Sequence, residues 1–461
     1  MTEAAFALEG RQIRVRREQA ARRALTGVLV WAVVLGNAGV IVWLWAHGGN
    51  VTDVHNRGEL FTSIARITGL LGAYSALLQV VLLARLPWLE RLAGFDRLTV
   101  WHRWNGHACL DLILAHVLFS FWGYALMDKI SLPSEVSTML GGGIYPGMIT
   151  ATVGTGLLVG VVVTSVVIVR RRLRYEAWYA VHLLAYAGLA LAWFHQIPTG
   201  NELVLDRVAA DYWRVLPLTT IGLVVVFRLL APIVQAFRFR LRVAEVIAEG
   251  PGVVSLRIEG RRLDRLTAQP GQFFLWRFLT KGRWWASHPF SLSEAPDGRS
   301  LRITVKALGD FSSRLADVAP GTRVVAEGPF GVFTSAARCR QKLVLIAGGI
   351  GITPIRALME DLSGDVIVIY RVVRDEDVLF RDELEELARE RGVTLLFVVG
   401  DHATDEGARL LTPEHLTELV PDLVERQVYI CGPPAMTEAL ERNVRRAEVP
   451  ARLIHSEKFA L

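Results

Sequence analysis

The chain has 461 residues, 52% of them hydrophobic, and a mean hydropathy of +0.34. Its formal charge of +6 has the sign of a nucleic-acid binder, but the excess is arginine clustered beside apolar segments, which points to membrane topology and away from nucleic acid. The three cysteines, Cys109, Cys339 and Cys431, lie too far apart for metal-ligand spacing, which excludes an iron–sulfur site and a disulfide framework.

Residues 1–24 form an arginine-rich cytoplasmic segment. The apolar run after it, 25–46, is longer than the core of a signal peptide and lacks a small-x-small cleavage site, so it reads as an uncleaved first span. Five further stretches are long and apolar enough to cross a bilayer: 60–84, 99–126, 148–169, 175–196 and 213–236. Arg11, Arg14, Arg16, Arg17, Arg22 and Arg23 precede the first span. Arg85, Arg91 and Arg97 follow the second, Arg170, Arg171, Arg172 and Arg174 the fourth, and Arg238, Arg240 and Arg242 the sixth. The alternate loops carry only Arg57, Lys129 and Arg207. The positive-inside rule therefore predicts an integral membrane protein with six spans and both termini in the cytoplasm.

Histidine is rare inside membranes and a good iron ligand. His102 and His116 stand fourteen residues apart in the third span, and His182 and His195 thirteen apart in the fifth. Each interval is roughly 20 Å of helix, about two thirds of a hydrocarbon core. Both spans run outward, so His102 pairs with His182 near the inner face and His116 with His195 near the outer face. Each pair can sandwich one haem iron. On an ideal helix His102 and His116 fall within about 40° of one another, but His182 and His195 are about 140° apart. Span five should therefore depart from an ideal helix, or the two haems should not be parallel. His107 falls on the opposite face and is expected to pair with Asp111. Arg66 and Arg228 occupy costly positions within spans, as partners of haem propionates, as part of an outer acceptor site, or as snorkelling side chains.

Beyond residue 237 the pattern changes. Short alternating runs with Gly and Pro punctuation, LRVAEVIAE to TRVVAEG, predict an antiparallel β-barrel. From Lys342 strands and helices alternate, predicting an α/β doubly wound parallel sheet. Its first strand leads into Gly348, Gly349, Gly351, Thr353 and Pro354, a loop whose amides can approach a pyrophosphate at a helix N-terminus. Arg371, with Arg374 after it, stands where NAD binders often place an acid, which favours the 2′-phosphate of NADPH over NADH. In the barrel, His288-Pro289-Phe290-Ser291 ends a loop, and Gly309-Asp310-Phe311-Ser312-Ser313 opens a helix suited to phosphate.

Taken together, H-x13-H, H-x12-H, HPFS, GDFSS, AGGIGITP, YICGPPAM and the terminal HSEKFAL closely resemble the ferric reductase and NADPH oxidase family, from residue 60 to the end. The resemblance implies haem-iron ligands His102 and His182 (inner) and His116 and His195 (outer). It implies FAD contacts at His288, Pro289, Phe290, Ser291, Lys306, Gly309, Ser312 and Ser313. For NAD(P)H it implies Gly348, Gly349, Gly351, Thr353 and Pro354, with Cys431, Gly432 and Pro433 on the nicotinamide side. Phe459 resembles the aromatic that stacks on the flavin, although here it is third from the end. Animal superoxide-producing members carry another histidine one turn after the outer span-three ligand, where this chain has Ser120.

The expected domains are 25–237 (six-helix transmembrane haem domain), 238–336 (FAD-binding β-barrel) and 337–461 (NAD(P)H-binding Rossmann-like domain). The expected activity passes electrons from cytoplasmic NAD(P)H, through FAD and two b-type haems, to an extracytoplasmic acceptor, either oxygen giving superoxide or a ferric chelate. The alternatives are a membrane-tethered flavin reductase and a haem-binding sensor. No calcium loop or docking domain stands out, which suggests constitutive activity; the sequence names no regulatory partner.

Overall fold

The computed structural model describes residues 25–141, 145–166, 172–173, 175–199, 206–281 and 284–458. The described residues separate into two compact units, 25–229 and 230–458.

The first unit is helical: α1 (Leu25–Asn50), α2 (Arg57–Leu82), α3 (Pro87–Ala93), α4 (Phe95–Asp128), α5 (Leu132–Gly141), α6 (Met148–Ser165), α7 (Tyr175–Trp193) and α8 (Arg207–Phe239). Five of these, α1, α2, α4 (from Arg97), α6 and α8, are long and apolar enough to cross a membrane. The fifth expected span is different. Its apolar stretch, Ala177–Trp193, is a shorter helix because the regular turn breaks off before His195. Helix starts are fixed by side chains. The Asn56 side chain accepts from the Glu59 amide at 2.9 Å while the Glu59 carboxylate accepts from the Asn56 amide at 3.2 Å, closing a capping box on α2. Asp206 caps α8 by accepting from the Val208 amide at 2.8 Å.

Between helices in an apolar solvent, burial supplies little drive, and close backbone approach matters more. Gly58 and Gly123 let α2 and α4 meet: a Cβ on Gly123 would stand 2.8 Å from the Thr62 amide nitrogen. Likewise a Cβ on Gly154 of α6 would stand 2.6 Å from the Gly188 carbonyl oxygen of α7. Tilted helices of this kind bring the histidine-bearing segments to fixed heights.

The second unit begins with six short strands, β1 (Arg242–Gly250), β2 (Val253–Glu259), β3 (Phe273–Phe278), β4 (His288–Ser291), β5 (Ser300–Lys306) and β6 (Val324–Phe330). They form two antiparallel three-stranded sheets, β1-β2-β5 and β4-β3-β6. Isolated bridges Arg242–Arg323 and Leu292–Ile303 link one sheet to the other. Trp276, Phe278, Leu256, Ile258 and Ile303 fill the space between them.

There follow β7 (Leu343–Gly348), α9 (Ile352–Asp361), β8 (Val366–Val372), α10 (Arg381–Arg391), β9 (Thr394–Val399), α11 (Pro413–Leu419), β10 (Gln427–Gly432), α12 (Pro434–Arg446) and β11 (Ile454–Lys458). The sheet is parallel throughout, in the order β11-β10-β7-β8-β9. Both its faces are covered, which is why its strands read as continuous apolar runs. Leu343, Leu345 and Ala347 pack with α9 on one face, while Val344 and Ile346 pack with Leu440 and Val444 of α12 on the other.

Gly154→Ala tests the α6–α7 contact. The added methyl group meets backbone rather than a movable side chain, so the protein in detergent should lose about 1–3 kcal/mol of stability by thermal unfolding. An unchanged melting temperature would show that the helices need not approach so closely.

Candidate functional site

The four span histidines meet in the pairs expected. The rings of His102 and His182 lie 6.0 Å apart, centre to centre, at 53°, and those of His116 and His195 lie 6.1 Å apart at 32°. Two imidazoles ligating opposite sides of one iron, each at about 2 Å, have ring centres about 6 Å apart. Each Nδ1 is already engaged. His102 meets the Gln79 carbonyl at 3.1 Å, His116 the Ala65 carbonyl at 2.8 Å, and His195 the Ala192 carbonyl at 2.6 Å. His182 lies 3.3 Å from the Ser165 hydroxyl, which itself donates to the Val161 carbonyl. Hydrogen bonds of this kind fix the tautomer and leave Nε2 as the ligating atom. Each pair can therefore hold one iron from both sides.

The unequal spacing is absorbed in α7. The helix ends at Trp193, His195 lies in the following turn, and the short helix Gln196–Thr199 comes after it. Gly147, at φ +82°, packs on that turn: a Cβ there would stand 2.9 Å from His195 Cα. Gly69 does the same for the outer partner, since a Cβ would stand 2.6 Å from His116 Nδ1.

Sequence reasoning missed these supports. Gln79 donates to the His102 carbonyl at 2.7 Å and accepts from Asn105 at 2.7 Å, and Asn105 also donates to the Ser75 carbonyl. Polar residues at helical spacing on α2 and α4 were the available signal. Arg66 donates to the Asn50 side chain at 2.8 Å and Arg228 to the Leu83 carbonyl at 3.0 Å, so both guanidiniums are tied to the protein. His107 and Asp111 are both exposed, and no hydrogen bond joins them among the described residues. The expected pair does not form, because neither side chain is enclosed by a neighbouring helix that would force it.

In the second unit, β4 runs antiparallel to β3, setting Trp276 opposite His288 and Phe273 opposite Ser291. Trp276 donates its indole N–H to the Phe290 carbonyl at 2.9 Å. His288 stacks on Phe311 with ring centres 3.8 Å apart, and Phe290 runs nearly parallel to both. Phe311 joins the site as a ring the motif reading had passed over. Ser291 is 4% exposed, and its hydroxyl finds no partner among the described residues. An orphaned hydroxyl beside a stack of rings suits a planar ligand with polar edges. Pro289 is exposed on the same strand, and Lys306 ends β5. Residues Asp310–Ser313 make a single helical turn, and the Ser312 hydroxyl already accepts from the Leu308 and Gly309 amides at 3.0 Å. Ser313 donates to the Asp310 carbonyl at 3.3 Å.

The third cluster forms at the carboxyl edge of the parallel sheet. Register sets Cys431 beside Ala347 and Arg371 beside Gly348, so the ends of β7, β8 and β10 meet. A Cβ on Gly351 would run into the Cys431 carbonyl and stand 2.8 Å from Gly432 Cα, while one on Gly348 would strike Met436. Gly349 has φ +52° and open space where its side chain would be. Gly349 thus leaves an open backbone at the start of α9 that a phosphate can approach, while Met436 covers Gly348 and Gly432. Thr353 and Pro354 are buried, and the Thr353 hydroxyl donates to the Ile350 carbonyl at 3.1 Å. They shape the loop from behind.

Both expected arginines already have partners, Arg371 half-buried and Arg374 at the surface. Arg371 Nη1 bonds the Val372 carbonyl and lies 3.3 Å from that of Val398; burial lowers its pKa, and Asp401 opposes the shift. Arg374 pairs with Glu376 at 2.6 Å and Asp377 at 3.2 Å. Phe459 lies outside the described residues.

Three family models match along the chain. Residues 68–193 match the ferric reductase like transmembrane component, 238–334 an FAD-binding domain, and 345–442 the oxidoreductase NAD-binding domain. The chain has the architecture of the ferric reductase and NADPH oxidase family. Oxidoreductase domains for FAD and NAD thus follow a ferric-reductase-like transmembrane component, in a chain with five helices long and apolar enough to cross a membrane. The chain is 33% identical over 204 residues to an NADPH oxidoreductase of Mycobacterium tuberculosis, covering 42% of this chain and 52% of that protein. It is 34% identical over 233 residues to the ferredoxin reductase component of a 3-ketosteroid-9-alpha-monooxygenase of Mycolicibacterium smegmatis, covering 48% and 65%. These matches span about half to two thirds of the relatives' length. Among solved structures, the FAD/NAD-binding domain of a Vibrio cholerae nitric oxide dioxygenase matches 48% of this chain and 98% of its own, at 25% identity and a TM-score of 0.41.

A buried hydroxyl without a partner costs about 1 kcal/mol or more. Ser291→Ala should therefore leave the flavin-free protein as stable as the parent or slightly more so in denaturant titration. Clear destabilisation without flavin would mean that the hydroxyl serves the fold.

Proposed function

We propose that this family member carries electrons across a membrane from cytoplasmic NAD(P)H to an outer one-electron acceptor, using one FAD and two b-type haems. The reading rests on one observation above all: two opposed imidazole pairs, at iron-spanning separation, each with Nδ1 engaged and Nε2 left for the metal. When bound, FAD splits the two-electron hydride of NAD(P)H into single electrons, and the haems give those electrons a path through the bilayer.

The chain's own residues then have definite tasks. His102 and His182 would hold the inner iron, and His116 and His195 the outer one, and each haem would supply one-electron transfer there. Gln79 and Ala65 carbonyls keep His102 and His116 in one tautomer. Arg66 and Arg228 supply positive charge for haem propionates. His288, Pro289, Phe290 and Ser291 line the flavin, with Phe311 stacked behind His288, and Lys306, Gly309, Ser312 and Ser313 shape its phosphate end. Gly348, Gly349 and Gly351 take the nicotinamide nucleotide's pyrophosphate, while Cys431, Gly432 and Pro433 flank the nicotinamide. Arg371 stands one strand from Gly348, where it can turn from the Val398 carbonyl to a 2′-phosphate; Arg374 assists.

In this reading α7 completes a six-span bundle within 25–237, the strands of 238–336 close into a barrel, and 337–461 is the nucleotide domain. Both chain ends are cytoplasmic, as the arginine distribution requires. The acceptor is oxygen, giving superoxide, or a ferric chelate. The Ser120 position favours the latter, because the extra outer histidine of the animal oxidases is missing.

A dithionite-reduced spectrum should show b-type haem; well-folded protein without it would overturn the proposal in favour of a tethered flavin reductase. His116→Ala should lose the outer haem and reduction of external acceptors while flavin reduction by NADPH persists. NADPH turnover against oxygen and against ferric chelate, with and without superoxide dismutase, decides the acceptor. Arg371→Ala should raise the KM for NADPH about tenfold, as expected for a lost charge-assisted contact, with little change for NADH. Equal effects on both nucleotides would remove the 2′-phosphate role.

A further inference from the structure

A charge cluster of two buried arginines around one half-buried carboxylate joins the flavin-side strands to the nucleotide sheet. Arg302 of β5 and Arg356 of α9 are 5% and 8% exposed, and both reach one carboxylate, Glu383 of α10. Arg302 grips it with two nitrogens, at 3.1 and 2.8 Å, and Arg356 Nε approaches the same Oε2 at 2.6 Å. Arg356 Nη1 donates to the Ser293 carbonyl at 2.8 Å and pairs with Glu360, whose other oxygen accepts from the Ala295 amide at 3.1 Å. Arg302 Nε lies 3.4 Å from Glu294. The Phe380 ring caps both guanidiniums, 5.0 and 6.0 Å from their central carbons. Phe380 does so from φ +58°, a strained setting for a residue with a side chain.

The position of this cluster gives it a role. Ser293 lies two residues beyond Ser291, the flavin-side hydroxyl, a reach of about 7 Å along extended chain. Arg356 lies five residues beyond Gly351, about 7.5 Å along a helix that starts at the nucleotide loop. The cluster is thus a short rigid link between the two halves of the redox site. A buried ionic cluster stabilises no better than well-packed apolar side chains, but a planar fork holds one orientation, which apolar contacts do not.

We propose that Arg302, Arg356 and Glu383 act as a clasp that registers the nucleotide-binding sheet against the flavin strands and so sets the distance for hydride transfer. They are positioning residues. The transfer itself moves one hydride, two electrons with a proton's nucleus, from NADPH to flavin, leaving NADP⁺ and reduced flavin. A misplacement of about 1 Å at such a step costs about a hundredfold in rate. The inference rests on the flavin and nucleotide assignments proposed above.

The test uses the full-length holoenzyme in detergent and stopped-flow flavin reduction by NADPH without oxygen. Glu383→Gln, Arg302→Met and the double variant are compared with the parent for bound FAD, melting temperature, the limiting rate and the NADPH concentration at half-maximal rate. The expected result is a limiting rate at least tenfold lower in each single variant, with FAD content retained. Long-wavelength nicotinamide–flavin charge-transfer absorbance should weaken, and the double variant should be little worse than either single one. An unchanged limiting rate overturns the clasp, as does a loss confined to FAD content and melting temperature, or losses that simply multiply in the double variant. If the parent itself shows no flavin reduction by NADPH, the underlying assignment of function has failed instead.

Discussion

In an apolar helix bundle every polar group must find its partner within the protein, and the histidines meet that demand through Nδ1. A carbonyl or hydroxyl faces each Nδ1, from another helix for His102, His116 and His182 and from its own preceding turn for His195, and a hydrogen shared there leaves Nε2 as the ligating atom. The rest of the membrane unit serves this arrangement. Gly69 yields room for His116, Gly147 for the His195 turn, and the Ser75–Asn105–Gln79 network ties α2 to α4 at the level of His102.

The second unit solves a different problem with backbone. The parallel sheet places three strand ends side by side, and Gly348, Gly351 and Gly432 let that edge pack closely against Met436 and the Cys431 backbone. The flavin-side strands contribute rings and one orphaned hydroxyl. Charged side chains are buried where the two meet, and there they are multiply paired. For Glu383, burial works against the carboxylate, but hydrogen bonds and charge from Arg302 and Arg356 outweigh it and hold its pKa below the ordinary range.

Much of this was legible in the sequence. Composition alone separated a membrane part from a sheet-rich part, and spacing with charge bias paired His102 with His182 and His116 with His195. The glycine loop and the CGP motif met as read. Other readings failed for physical reasons. His107 and Asp111 are one turn apart, yet proximity on an exposed face does not compel a bond. The fifth expected span, 175–196, is regular only to Trp193, because the chain turns before His195.

The sequence by itself determined which residue types would be present and at what spacing along each apolar stretch, because hydropathy and charge act locally and one residue at a time. Only the tertiary structure decided that α7 stops short and delivers His195 from a turn, that Phe311 stacks on His288, and that Arg371 rests on carbonyl oxygens. It alone placed Arg302, Arg356 and Glu383, distant in the chain, around one carboxylate. Such choices depend on what a side chain meets across the fold, and no periodicity carries that information.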